Sequence, residues 1–377
     1  MKHIDEFRIN KFRGLRNLTI EELGQVNLFV GDNNSGKTSV LEAFSLFCDP
    51  LSWRKWNDIS SHREVLSSFR SSIRDRITWL FGQPTELDKN ESEKSPLLLS
   101  ASGSTYIKEV SATYDISHEI ISTEISERLN PRYIENVEDK AEEETESIRV
   151  HVSVATDPAQ SLFEEDAKKD VDLNFNDIAY LNREIKRKAV ITLSAQMVNP
   201  YTHRTSSLSS RLWSEVVEAN LKEETIQLLR HFDPEILDVD FISPTERRQF
   251  ISVKHKSLGR APLYTFGDGL RRVFTLATTI PRVRGGFLLI DELETAIHTR
   301  ALERTFEWLV KACIANDVQL LATTHSLEAL DAILEVSKER ADIVVYRLQQ
   351  GAEKTIAKRF DKETALRLRE ELGMELR

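Results

Sequence analysis

Eight consecutive residues, Gly31-Asp32-Asn33-Asn34-Ser35-Gly36-Lys37-Thr38, fit G-x-x-x-x-G-K-[ST] in full. Such a run curls its backbone N–H groups around phosphate oxygens, and the helix that follows adds a favourable dipole. Lys37 would then reach the terminal phosphates, and the Thr38 hydroxyl would ligate Mg2+. A second group is Phe287-Leu288-Leu289-Ile290-Asp291-Glu292, an apolar run ending in two carboxylates. At the C-terminal end of a buried strand they enter the crevice where such sheets bind ligands. There Asp291 suits Mg2+ and Glu292 suits polarising a water. Leu320-Leu321-Ala322-Thr323-Thr324-His325-Ser326 ends a third apolar run in polar residues and a histidine, one strand-helix unit further on. The fourth group, Gly267-Asp268-Gly269-Leu270-Arg271-Arg272, opens a helix with two glycines and puts two arginines in its first turn. Cations are unfavourable there unless an anion or a carboxylate offsets them.

The elements that must carry these groups are legible from periodicity. Residues 7–12 alternate, and Val26–Val30 is an apolar run fit for a buried strand. A helix is expected over Lys37–Phe47, a second over 60–81 and a third over 211–231. Exposed strands are expected near 104–116 and 148–155, with an acidic run from Glu138 to Glu146 between them read as a solvated loop or helix face. Ala189–Ser194 reads as a short buried strand. The last third reads strand 287–290, helix 299–315, strand 319–322, helix 327–337 and strand 343–348. That alternation indicates a parallel, doubly wound sheet.

Composition narrows the function classes. The chain has 377 residues, 40% hydrophobic, and a formal charge of −10, so coating nucleic acid is not its main task. Two isolated cysteines, Cys48 and Cys313, exclude a disulfide scaffold and a zinc module and suit a reducing cytosol. No stretch of ~18 apolar residues could span a bilayer, and the first residues are charged. A cytoplasmic protein without a membrane partner is expected.

The ordered set resembles ABC-type ATPases. "FRG" at Phe12-Arg13-Gly14 followed by "VNLFVGDNNSGKTSVLEAF" looks like the RecF/SMC-like group rather than transporter subunits. The forms "GDGLRR", "LLIDELETAIH" and "LLATTHS" resemble the ATPase half of the overcoming-lysogenisation-defect (OLD) nucleases and their stand-alone AAA-type relatives in phage-defence operons. The resemblance implies an α/β ABC-type P-loop head: a mixed or parallel sheet with flanking helices, an antiparallel β subdomain and a helical subdomain. It implies ATP and Mg2+ as cofactors. The implied nucleotide-binding residues are Arg13, Gly31, Asn33, Asn34, Ser35, Gly36, Lys37, Thr38 and Ser39. Catalysis would fall to Glu292, His325 and Lys37, and Mg2+ to Thr38 and Asp291, with Gln196 as the Q-loop glutamine. Gly267, Asp268, Gly269 and Arg271 would form a signature acting across a dimer, in a variant that lacks the usual serine.

One ATPase domain over 1–377 is expected, in four parts. These are 1–50 with the phosphate loop, an inserted helical and β region at 51–185, a helical lobe with the signature at 186–285, and 286–377 with the Asp-Glu strand and the histidine. Only 52 residues follow His325, too few for a Toprim nuclease domain of ~100 residues. No sustained heptads suggest a coiled-coil arm. The leading expectation is an ATP-driven switch that forms a homodimer or higher oligomer and works through a separate nuclease or toxin in anti-phage defence. A rival is a RecF-like DNA-binding repair ATPase, resting on Arg63, Arg70, Arg74 and Arg76 beside Trp53 and Trp56. A transporter ATPase subunit is disfavoured by the signature.

Overall fold

A computed structural model describes residues 2–64, 71–82, 96–122, 142–157, 168–176, 191–205, 210–245, 248–336, 342–351 and 353–370. Its centre is a six-stranded sheet in the order β15-β14-β3-β13-β12-β8. The strands are β3 (Val26–Val30), β8 (Ala195–Val198), β12 (Phe287–Ile290), β13 (Gln319–Thr323), β14 (Ile343–Gln350) and β15 (Thr355–Asp361). All neighbours pair in parallel except β15, which lies antiparallel on β14. Strands β3, β12 and β13 are buried throughout, so their sequences are continuous apolar runs rather than alternating ones.

The period-two geometry of a strand sends neighbouring side chains to opposite faces. Leu288 and Ile290 therefore join one core with Val26, Leu28, Leu320 and Ala322, packed under the helices α7 (Asp268–Thr279), α8 (Thr299–Ala315) and α9 (Leu327–Val336). Phe287 and Leu289 join the other core with Phe29, Leu321 and α1 (Lys37–Cys48). That second core is closed by an antiparallel sheet ordered β2-β1-β4-β5-β6-β7. It comprises β1 (Ile4–Phe12), β2 (Leu15–Ile20), β4 (Leu97–Gly103), β5 (Ile107–Ser122), β6 (Glu142–Thr156) and β7 (Lys168–Asn176). The helix α1 is thus sandwiched between two sheets, and apart from Thr38 all its residues are buried.

Several local expectations need correction. The helix expected over 60–81 is not continuous. Helix α2 (Trp53–Ser61) passes into a 3-10 turn, His62–Glu64, and α3 (Ile73–Thr78) starts afresh where the Ser72 side chain accepts from the Asp75 N–H at 3.1 Å. Serine caps compete with helix continuation; residues 65–70, with Leu66, Phe69 and Arg70, lie outside the described residues. The span 211–231 is two helices, α5 (Ser210–Glu218) and α6 (Lys222–Arg230), broken where Asn220 takes φ 59. A one-turn helix, α4 (Thr202–Thr205), precedes them. Residues 191–194 form no strand. Instead the Leu193 N–H (2.7 Å) and the Thr192 hydroxyl (3.2 Å) donate to the Cys48 carbonyl at the end of α1, and the strand begins only at Ala195; residues 189–190 lie outside the described residues.

Of the acidic run, residues 142–146 belong to β6 and pair with 118–122 of β5, so they are neither loop nor helix; 138–141 lie outside the described residues. The strand expected at 104–116 is the first part of β5, which starts at Ile107 and runs on to Ser122; residues 104–106 form the turn from β4. A three-stranded sheet of β9 (Ile236–Thr245), β10 (Arg248–His255) and β11 (Gly259–Pro262), which the sequence reading did not anticipate, precedes α7. The helix α10 (Lys362–Glu370) ends the described chain.

Candidate active site

Strands β3, β13 and β12 are adjacent, and each ends at the same edge of the sheet. The phosphate-loop residues follow β3, Asp291 and Glu292 follow β12, and the polar end of β13 lies between them. The loop closes tightly on β14: a Cβ at Gly31, whose φ is +139, would stand 2.5 Å from the Leu348 carbonyl oxygen. Asp32, Asn33 and Asn34 are exposed at the loop tip, whereas Ser35 is buried. Gly36 is the N-cap of α1, without a side-chain cap, and the first turn of α1 carries no acidic residue. Its N–H groups are the type of helix end that receives an anion.

Lys37 is buried and its Nζ donates to the carbonyls of Gly31 (2.7 Å) and Asp32 (2.8 Å). Burial pushes the ammonium below its ordinary pKa, and the carboxylates of Asp291, Asp32, Glu292 and Glu294 oppose that shift. The Thr38 hydroxyl lies 3.0 and 3.1 Å from the two carboxylate oxygens of Asp291. Asp291 also accepts from the Thr323 hydroxyl at 2.7 Å. Burial raises the Asp291 carboxyl, and the bonds from Thr323 and Thr38 pull it back. Two hard oxygen donors, one anionic, meet here, a set that fits a divalent cation such as Mg2+ completed by phosphate oxygens and water. Among the described residues no group of three or more His, Cys, Asp or Glu could hold a metal alone.

Glu292 sits in the left-handed region at φ 51, an uncommon conformation for a residue with a side chain. Its N–H donates to the Thr323 hydroxyl at 2.8 Å and its Oε2 accepts from Thr295 at 2.8 Å. His325 is exposed, and its backbone N–H donates to Glu294 Oε1 at 3.0 Å, as does that of Ser326 at 3.1 Å. Glu294 therefore spans the Asp-Glu and histidine segments through their main chain.

Other expected residues sit elsewhere. Gln196 pairs in register with Leu288, three residues before Asp291, and its amide donates to the Met197 carbonyl at 3.2 Å. It is too far down its strand to serve as a metal ligand; the polar residue at the end of β8 is Asn199. Arg13 meets α1 one turn after Thr38, where it forms an ion pair with Glu42 at 2.6 Å and donates to the Ile59 carbonyl at 2.9 Å. Ser39 accepts from Arg63 Nη2 at 3.0 Å, and the same guanidinium grips Glu42 at 2.7 and 2.8 Å. Arg271 donates to Asp268 at 3.2 Å and to the His203 carbonyl at 2.9 Å, and Asp268 also pairs with Arg204. Gly267 is exposed, with open space where a side chain would be.

The tryptophans of the DNA reading are occupied. Trp53 stacks on Phe175 at 5.5 Å and donates to the Asn174 carbonyl, while Trp56 is buried against Phe81 at 5.9 Å. Sequence reasoning missed Arg272, Thr323 and Glu42. Arg272 had a signal: with Val273, Leu276 and Thr279 it lies on the buried face of α7, an arginine where the pattern demands an apolar residue.

The chain matches the family described as "AAA domain, putative AbiEii toxin, Type IV TA system" over residues 26–331, and it belongs to that family. The ABC/SMC-like AAA ATPase class inferred from the motifs agrees with this membership. A protein of Methanocaldococcus jannaschii, MJECL11, is 35% identical over 112 residues, 29% of this chain and 98% of its own. An ATP/GTP phosphatase of Helicobacter pylori is 22% identical over 358 residues, 89% of each chain. Among solved structures, an SMC head bound to the C-terminal winged-helix domain of ScpA superposes with a TM-score of 0.49 at 12% identity, covering 97% of this chain and 100% of that one. Among the described residues, no helix is long and apolar enough to cross a membrane.

Proposed function

We propose that this chain binds and hydrolyses ATP in a Mg2+-dependent manner and acts as a switch on a separate effector. The observation that carries the reading is the meeting of Thr38 with Asp291 at 3.0 Å, which joins the phosphate loop to the Asp-Glu strand as one site. Lys37 and the α1 N-terminus would hold the phosphates, and Thr38 and Asp291 would hold Mg2+. When bound, that ion neutralises phosphate charge. Glu292 would orient the attacking water, leaving its bond to Thr295 to do so, and the catalytic power comes from positioning and electrostatics.

A homodimer closing over the nucleotide is part of the proposal. Its contact would be the exposed Gly267 backbone rather than Arg271, which Asp268 and the His203 carbonyl retain in cis. The toxin–antitoxin description of the family supports a defence role, in which the partner would be a nuclease or toxin, and the printed activity of the Helicobacter pylori relative supports nucleotide hydrolysis. Phosphate-release assays on wild type and Lys37→Ala test the site. Wild type should turn over ATP, whereas Lys37→Ala should lose nucleotide binding on the order of 100-fold or more, because it removes the main charge-assisted phosphate contact. Unchanged calorimetric affinity in the variant would overturn the assignment.

A further inference from the structure

Arg272 is the one arginine among the largest fully buried side chains of the described residues. Burying a guanidinium is costly unless its donors are used, and an apolar residue would pack the same helix face without that penalty. Its terminal nitrogens donate to main-chain oxygens of two elements beside the Asp-Glu motif, while its buried Nε has no hydrogen-bond partner. Nη1 donates to the Asn199 carbonyl just past β8, and Nη2 donates to the carbonyls of Asp291 (3.1 Å) and Glu292 (3.2 Å). We propose that Arg272 is a positioning residue for hydrolysis, which fixes the backbone of Asp291 and Glu292 and transmits the placement of the Gly267–Gly269 helix start to the water-orienting carboxylate. The proposal rests on the hydrolysis reading above.

Two further features of the same helix agree with it. Glu292 holds its left-handed φ of 51 between the Thr323 hydroxyl on its N–H and Arg272 on its carbonyl, so the guanidinium is one of two clamps on a strained residue. One turn earlier, Gly269 lies so close to the loop after Glu292 that a Cβ there would stand 2.7 Å from the Ala296 carbonyl oxygen, and Ala296 itself has φ 65. The helix thus touches the catalytic loop at two points, one polar and one steric. Burial pushes the Arg272 guanidinium down to about 10, and the carboxylates of Asp291, Glu292 and Glu294 work against that shift. The neighbouring His203 is buried with neither ring nitrogen hydrogen-bonded, and its pKa is pushed down to about 4 by burial and by the Arg272 charge. At neutral pH it adds no rival cation.

The test compares Arg272→Lys with Phe274→Leu, a buried position on the same helix that stacks on Trp213 and touches neither carbonyl. A lysine keeps the charge but lacks the rigid planar fork that spans carbonyls on two separate segments. Arg272→Lys should lower kcat on the order of 100-fold, the scale of a misplacement of about 1 Å, while the affinity for a non-hydrolysable ATP analogue stays within about threefold. Phe274→Leu should lower Tm at least as much and keep kcat within about threefold. Gly269→Ala, which pushes the helix from the Ala296 carbonyl, should reproduce the Arg272→Lys split, and it decides the matter if Arg272→Lys does not fold.

A near-normal kcat in the folded variant would overturn the proposal. So would losses of affinity that match the losses in kcat, or a Phe274→Leu enzyme equally slowed. Wild-type protein without ATPase activity would instead bring down the hydrolysis reading itself; activity lost in Lys37→Ala and retained in Arg272→Lys would remove only the positioning role.

Discussion

Behind the phosphate loop, buried charge is paired directly with opposite charge; behind Asp291 and Glu292, buried charge hydrogen-bonds to peptide carbonyls. On the first side Glu42 of α1 is fully enclosed, with Arg13 at 2.6 Å, Arg63 at 2.7 Å and His62 at 3.0 Å. On the second side Arg272 donates to three carbonyls, and the carboxylates of Asp291, Glu292 and Glu294 act on it as nearby charges. The difference separates two tasks. A charge-paired cluster tying α1 to β1 and to the segment after α2 secures elements against one another. A charge resting on carbonyls sets where two peptide groups lie. Damage to the first flank should therefore appear as lost stability, and damage to the second as lost turnover.

The largest expected effect is on the paired flank. Glu42→Ala leaves Arg13 and Arg63 without their buried partner, a change that costs about 3–5 kcal/mol when one member of a buried pair is removed. Urea denaturation should register that loss, while hydrolysis per folded molecule at low denaturant changes little. Burial alone would raise the Glu42 carboxyl, but the His62 bond and the Arg13 and Arg63 charges outweigh it and hold the pKa at about 2, against an ordinary 4.5. A depressed folded-state value means the stabilisation is full above the unfolded pKa near 4.5 and is lost as pH falls towards about 2. Wild-type stability should fall through that acid window more steeply than that of Glu42→Gln. Equal acid slopes would show that the two flanks do not differ in this way.

The turnover side is sharpened by Glu292→Gln. The amide keeps the size and can still accept from Thr295, so Tm should not move, while hydrolysis falls by ~100-fold or more. With ATP the variant should accumulate as a larger species in light scattering, as the proposed dimer requires. A wild-type rate would shift the role of base to Glu294, whose carboxylate already bridges to the His325 and Ser326 N–H groups.

How much of this could be read beforehand depended on whether a residue's task was written in its own neighbourhood. The strand–loop–helix at 26–48 and the strand–helix alternation from 287 onward were legible, because apolar runs and phosphate-loop spacing are local signals. The helix breaks at His62–Glu64 and Asn220 were not, since apolar spacing continues across them while serine caps and a positive φ end the helices. Lys37, Thr38, Asp291 and Glu292 lie in motifs and come together as expected. Gln196 was misplaced because its strand starts later than the pattern suggested, which leaves it three residues short of Asn199 at the site edge. Glu42, Arg63 and Thr323 act through partners distant in sequence, and nothing in their own segments announces them.

The smallest effect probes the seam between the flanks, where Thr323 serves both carboxylate residues. Its hydroxyl donates to Asp291 at 2.7 Å and accepts from the Glu292 N–H at 2.8 Å, so one oxygen orients the Asp291 carboxylate and clamps the strained backbone. Thr323→Val keeps the shape of the side chain but removes both bonds, leaving the Glu292 N–H without its partner. The expected loss of stability is roughly 1–3 kcal/mol, the cost of one unsatisfied buried donor. Hydrolysis should fall on the order of tenfold, less than in Arg272→Lys, because the Arg272 clamp on the Glu292 carbonyl remains. Thr323→Ser, which retains the hydroxyl, should restore turnover more completely than stability, since it still lacks the buried methyl group. Recovery of stability without recovery of turnover would place Thr323 with Glu42 among the securing residues and move the boundary between the two flanks to the far side of Asp291.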